Sequence, residues 1–137
     1  AFLATPESFA HDYHKRRLLE AKSGDTVHTD LFVINWPKGS PVRVLKNSLT
    51  EAAGDKLWGH DPALMKREVI GEEAGSPVHK YDTNSPLRNM TGDFEKMALY
   101  AGEGVGSVTE IRPAAAVIER IMTEANAALD RLGILRK

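Results

Sequence analysis

The chain has 137 residues, a length at which a folded domain buries roughly two-thirds of its unfolded surface. Its 18 basic and 19 acidic residues are scattered and give a net charge of -1, which excludes the strongly basic surface of nucleic-acid-binding proteins and of proteins held on anionic membranes. Cysteine is absent, which excludes disulfides and thiolate metal sites, and no apolar run is long enough to span a bilayer. We expect a soluble, cytoplasmic protein.

The composition also limits the core. Aromatic residues make up 7% of the chain, while there are eleven glycines and seven prolines. Few large apolar side chains are therefore left to build a core, which is typical of a piece that packs against something larger. We expect one incomplete domain, made of a strand and helix in 1–23, an irregular extension in 24–92 and closing helices in 93–137.

The first unit is predicted to run from a strand into a helix. Residues 2–5 have the apolar character of the end of a buried strand, and Ser8 offers a helix N-cap after Pro6. Residues 9–21 carry apolar side chains at helical spacing, with the basic residues 15–17 predicted to face solvent.

The extension contains short elements separated by glycine and proline. Residues 26–34 are rich in β-branched side chains and predict a strand, and the apolar spacing in 43–54 predicts a helix. Residues 69–72 and 78–81 predict a hairpin, because the polar segment between them contains glycine and proline. Residues 82–90 are predicted to form a loop.

The closing unit is predicted to hold two helices. A short one follows Asp93 and ends at Gly102, and a long one begins at Pro113 and ends at Gly133. Five residues of the long helix recur on one face and predict a continuous buried stripe: Val117, Ile121, Ala125, Ala128 and Leu132.

Three alternating glycines, Gly102, Gly104 and Gly106, lie between these helices. No Lys-Ser/Thr follows them and no βαβ unit surrounds them, which excludes a phosphate loop and a dinucleotide fingerprint. The interpretation favoured by the residues alone is a sharp turn into an extended segment. Tyr100, just before the glycines, is the aromatic residue most suited to a site.

Histidines offer one alternative site. His11 and His14 are three residues apart on the first predicted helix and could be joined by His28 in a metal site. No carboxylate stands at a diagnostic spacing from them, so we predict no metal site, and no Ser/His/Asp arrangement can be argued either.

Four segments together resemble a known family. They are FLATPES at 2–8 followed by His11, DTVHTDL at 25–31, PVRVLKN at 41–47, and YAGEGVG at 100–106 followed by Pro113-Ala114-Ala115. The chain resembles the C-terminal third of the nitronate monooxygenases, formerly called 2-nitropropane dioxygenases. The resemblance implies an α/β fold class, namely the C-terminal fragment of a flavin-binding (β/α)8 TIM-type barrel, mostly helical with a few short strands.

The resemblance also implies site residues. Ala1 stands where relatives carry the Arg of a Gly-Thr-Arg sequence, so Ala1 and Phe2 are expected to border the phosphate of FMN. Gly102, Glu103 and Gly104 are expected to approach the flavin or substrate cavity, with Glu103 at a position where relatives often have Gln. The catalytic His of the family belongs to an earlier barrel segment, so we predict no catalytic residue in this chain.

The implied function is that of the C-terminal part of an FMN-dependent monooxygenase that oxidises alkyl nitronates with dioxygen. One alternative is an NAD(P)H-dependent flavin reductase of quinones or enoyl thioesters, and another is a non-catalytic assembly module. The expected partner is the remaining barrel segment, on the same or a separate chain, with a homodimer possible. The 137-residue piece alone is expected to be inactive and colourless.

Overall fold

The computed structural model describes residues 1–133, so the last four residues of the predicted closing unit lie outside the described part. The helices are α1 (Asp12–Glu20), α2 (Ser48–Ala53) and α3 (Ala114–Leu132). The strands are β1 (Thr26–Thr29), β2 (Val42–Leu45), β3 (Val69–Glu73), β4 (Ser76–His79) and β5 (Met90–Gly92). Residues 1–133 also contain three 3₁₀ helices, Phe2–Ala4, Phe94–Lys96 and Glu103–Ser107.

The strands of residues 1–133 form two small antiparallel sheets. One pairs β1 with β2, and the other has the order β4-β3-β5. The predicted hairpin is confirmed, since β3 and β4 pair from Val69 opposite His79 to Glu73 opposite Ser76. Its turn is tighter than predicted because Ala74 and Gly75 both adopt positive φ. β5 was not predicted: Met90 was placed in the loop of 82–90, and Thr91 and Gly92 in the cap of the short helix, but these residues pair with the other edge of β3.

Two apolar clusters form most of the core. One joins β2 and α2 to the buried segment after β1 and to Ala98: Leu31, Phe32, Val42, Val44, Leu49 and Ala98. The other lies between α1 and residues 102–106, called the glycine segment below: Ala4, Leu18, Leu45, Leu99 and Val105. The strand predicted for 26–34 ends at Thr29, and residues 31–34 are buried without joining the sheet.

The helix predicted for 43–54 is wrong in its first half. Val42–Leu45 is strand β2, and α2 begins only after Asn47. The Asn47 side-chain oxygen accepts hydrogen bonds from the backbone N–H groups of Leu49 and Thr50 and so starts a new helix. The apolar spacing fitted a helix, but pairing of Val44 with Val27 across the sheet decides the conformation.

The first unit differs from its prediction in three ways. Residues 2–5 do not form a strand, because no strand of residues 1–133 lies beside them, and Phe2–Ala4 is a 3₁₀ helix. The N-cap of α1 is His11 rather than Ser8. Lys15 was predicted to face solvent but is only 3% exposed, with its Nζ donating to the Ser8 carbonyl.

The long closing helix is confirmed, but its predicted buried stripe is wrong. α3 follows Pro113 and ends at Gly133, whose left-handed φ of 64° completes the C-cap. None of its residues is buried, and Ile118 and Met122 are 52% and 55% exposed. The apolar face has no complementary surface within the described chain. The short helix predicted after Asp93 is a single 3₁₀ turn, Phe94–Lys96. Within residues 1–133 no helix is both long and apolar enough to traverse a membrane.

Candidate functional site

A cavity of about 490 Å³ lies between the N-terminal 3₁₀ turn, α1 and the glycine segment. This volume lies within the range of about 300–1,000 Å³ that is usual for small-molecule sites. Its walls are mostly apolar and are formed by Ala1, Leu3, Ala4, Leu18, Arg43, Tyr100, Ala101, Gly102, Gly104, Val105 and Val108. The fold therefore brings the two ends of the chain's predicted site together.

Packing beneath the cavity fixes the glycine segment in place. Val105 is buried in the second apolar cluster with Leu18 of α1. Gly106 allows the segment to approach the loop after α1 closely, since a Cβ at this position would lie 2.8 Å from the backbone nitrogen of Ser23. Close packing of the backbone thus explains why residue 106 is a glycine, as the interpretation of the glycines as a sharp turn predicts.

Gly102 and Gly104 have no such structural reason. A Cβ added to either would meet no atom of residues 1–133 within 4 Å, and neither residue has positive φ. Neither backbone conformation nor packing within the described chain requires glycine at these two positions. Both line the cavity, so a ligand in it meets backbone rather than a side chain at these two positions.

His14 and Tyr100 position the start of the glycine segment. The fully buried His14 donates through Nε2 to the Tyr100 carbonyl at 3.1 Å, and its Nδ1 accepts from the Ser85 hydroxyl at 3.0 Å. Burial lowers the pKa of His14 to about 4, so the ring is neutral at physiological pH. The Tyr100 hydroxyl donates to the Thr83 carbonyl at 2.7 Å, and burial raises the pKa of this phenol.

The three histidines considered as metal ligands have separate roles. His11 caps α1 by accepting from the Tyr13 N–H, His14 is held as described, and the His28 ring packs edge-on to Trp58 at 5.1 Å between centroids. In the part of the chain that the structure describes, no group of three or more His, Asp or Glu side chains is arranged to hold a metal ion.

Arg43 supplies the cationic side chain of the cavity wall. Its NH1 donates to Thr26 Oγ1 at 3.3 Å, and its NH2 pairs with Glu103 Oε1 at 2.8 Å. The backbone carbonyl of Arg43 also accepts from the Ala101 N–H, which ties β2 to the glycine segment. Arg43 belongs to the PVRVLKN segment at 41–47, but no role was predicted for it from the sequence.

Of the five residues expected to bind flavin, three line the cavity, one lies beside it and one lies outside its wall. Ala1, Gly102 and Gly104 line the cavity, and the Glu103 side chain, 77% exposed, lies beside it on Arg43. Phe2 is half-exposed and is not part of the cavity wall. Flavin binding by these residues stays a prediction.

Comparisons with known proteins give the family. A sequence model of the family described as nitronate monooxygenase matches residues 1–124. A probable nitronate monooxygenase from Bacillus subtilis (strain 168) is 27% identical over 110 residues, which cover 80% of this chain and 27% of that protein.

Solved structures show the same fold. FabK from Thermotoga maritima matches with a TM-score of 0.61 and 21% identity over 96% of this chain and 36% of its own. A mutant of FabK from the same organism matches with a TM-score of 0.53 and 22% identity over 96% of this chain and 33% of its own. The chain thus spans about a third or less of the length of these relatives. The family match over 1–124 nevertheless covers most of the sequence, and the chain belongs to the nitronate monooxygenase family.

Proposed function

We propose that this chain is the C-terminal part of an FMN-dependent monooxygenase that oxidises alkyl nitronates with dioxygen. Family membership supports the class of enzyme. The observation that carries the cofactor assignment is the pair Gly102 and Gly104, which line a ligand-sized cavity without any requirement of folding for glycine. Space kept free of side chains is what a flat ring system needs at close approach to a backbone.

The residues present fit part of a flavin site. The wall is largely apolar, as suits the isoalloxazine ring, and Arg43 provides one positive charge. In this proposal Ala1 and Phe2 border the phosphate, while Gly102, Glu103 and Gly104 lie next to the ring or the substrate. Bound FMN would supply the electron transfer from the nitronate to dioxygen. The residues of this chain orient the ligand and exclude water, and we assign none of them a catalytic role.

The exposed apolar face of α3 supports the proposal that further polypeptide completes the site. Ile118, Ile121 and Met122 are each about half exposed. We propose that the remaining barrel segment, on the same or a separate chain, covers this face, with a second copy of the chain as the competing occupant. The 137 residues alone then hold flavin weakly and are inactive.

The test uses the full-length protein. A flavin absorption spectrum that yields FMN on release, together with oxygen consumption on addition of an alkyl nitronate, is the expected result. Anaerobic stopped-flow mixing with NADH separates the alternatives, since rapid flavin reduction identifies the NAD(P)H-dependent reductase and contradicts the monooxygenase. A full-length protein that binds no flavin contradicts both and favours the assembly module.

A further inference from the structure

We propose that Arg43 binds the anionic group of the ligand that occupies the 490 Å³ cavity, and that Glu103 occupies Arg43 until this ligand displaces it. The inference rests on the proposed function and adds a charged contact to the site. Two sources of the anion share this chemistry: the phosphate of FMN and the oxyanion of a nitronate.

The first support is the charge distribution of the cavity. Arg43 is the one side chain of the described wall that carries a charge, and the remaining side chains are apolar apart from Tyr100. The Tyr100 hydroxyl is already engaged by the Thr83 carbonyl. A cation at the edge of an apolar cavity favours a ligand with an apolar body and one negative group. With NH1 bonded to Thr26, displacement of Glu103 frees the N–H groups of NH2 to donate to a phosphate or nitro-type oxyanion.

The second support is how Arg43 is held. β2 fixes its backbone, the Ala101 N–H bonds to its carbonyl, and Thr26 Oγ1 accepts from NH1. The guanidinium is therefore oriented from within the sheet, while the exposed Glu103 is the one partner of its NH2 among residues 1–133. Preorganised donors of this kind bind an anion with little loss of side-chain entropy.

The third support is that the Glu103 contact is easily replaced. The Glu103 side chain is 77% exposed, and ion pairs of such exposed carboxylates contribute little to stability because water and salt screen them. Gly102 and Gly104, on either side of Glu103, line the same cavity as Arg43, so an anionic ligand in this cavity competes with Glu103 for the guanidinium. Glu103 then acts as an internal anion that competes with the ligand.

The experiment compares variants of the full-length protein. Arg43→Met removes the charge, Arg43→Lys keeps a point charge without the fork, and Glu103→Gln removes the competing anion. Arg16→Met is the matched control, since Arg16 is exposed on α1 and makes no side-chain hydrogen bond among the described residues. Thermal unfolding followed by circular dichroism checks that each variant is folded. If Arg43→Met does not fold, Arg43→Lys and Glu103→Gln test the proposal in its place.

The readouts are the dissociation constants of FMN and riboflavin and the KM for an alkyl nitronate. If Arg43 holds the phosphate, Arg43→Met weakens FMN about tenfold or more, equivalent to roughly 1.4 kcal/mol, and leaves riboflavin unchanged. If it holds the substrate, KM rises by a similar factor while FMN affinity is retained. In either case Glu103→Gln tightens the same ligand about two- to fivefold.

The inference is overturned if the Arg43 variants have the same dissociation constants for FMN and riboflavin, and the same KM for the nitronate, as Arg16→Met. Such a protein still binds flavin and so leaves the proposed function standing. A full-length protein that binds no flavin instead refutes the proposed function.

Discussion

The buried His14 predicts a specific dependence of stability on pH. Its folded pKa of about 4 lies below the ordinary value of 6.5 because burial disfavours the charged ring. Between these values the unfolded chain binds a proton that the folded chain does not, so the free energy of unfolding falls as pH falls from 6.5 to 4 and this contribution then levels off. A shift of this size corresponds to roughly 3 kcal/mol at most.

His14→Gln isolates this effect. The Gln amide can still donate to the Tyr100 carbonyl but does not titrate, and the Ser85 hydroxyl loses its acceptor. At pH 7.5 we expect the variant to be less stable by about 1 kcal/mol, because one buried hydrogen bond is lost. At pH 4 it becomes more stable than the wild type by about 2 kcal/mol, because the wild type alone has lost the His14 contribution.

The assay is urea unfolding followed by circular dichroism at pH 7.5, 6.5, 5.5, 4.5 and 4.0 for both proteins. Carboxylates that titrate in the same range affect both and cancel in the difference between them. Parallel curves of unfolding free energy against pH, without the crossing, would refute the assignment of His14 as a neutral buried residue that holds the glycine segment.

Further predictions concern the glycines, the α2 cap and α3. Gly106→Ala destabilises the chain by about 1–3 kcal/mol in urea unfolding, because the Cβ meets the Ser23 backbone. Gly104→Ala shifts the free energy of unfolding by less than about 0.5 kcal/mol but weakens FMN binding to the full-length protein. If Gly104→Ala and Gly106→Ala changed stability and FMN affinity equally, this would count against a ligand role for Gly104. Asn47→Ala costs about 2–3 kcal/mol, since α2 loses its cap and the Met97 carbonyl its donor, and Asn47→Asp is also destabilising, because it keeps the cap but turns a buried carboxylate oxygen towards that carbonyl. Ile121→Ser leaves the 137-residue chain within about 0.5 kcal/mol of wild type but destabilises the full-length protein, and the absence of this contrast would show that α3 faces solvent.

Elements defined by local patterns could be predicted from the sequence. The hairpin of β3 and β4 follows from its turn residues, and α3 follows from Pro113, a helical apolar period and Gly133. β2 could not, because apolar residues at 44, 45 and 49 fit a helix equally well and only pairing with β1 selects a strand. The exposure of the apolar face of α3 could not be predicted either, since burial depends on a partner surface and the apolar spacing of a helix does not show whether one is present.

The candidate site was predictable only in part. The resemblance drew attention to Ala1 and the glycine segment, and folding places Ala1, Gly102 and Gly104 around one cavity. A role for Arg43 could not be predicted, because it depends on contacts with Thr26 and Glu103, which are distant in sequence. The position of Phe2 outside the wall could not be read from the sequence either, because the 3₁₀ turn replaces the expected strand and turns this side chain outward.

The most direct test is a crystal structure of the full-length protein with FMN bound. We predict flavin density in the cavity formed by Ala1, Gly102 and Gly104, with ligand atoms in van der Waals contact with both glycines. Flavin bound elsewhere, or a cavity filled by protein side chains with the two glycines facing solvent, would contradict the account.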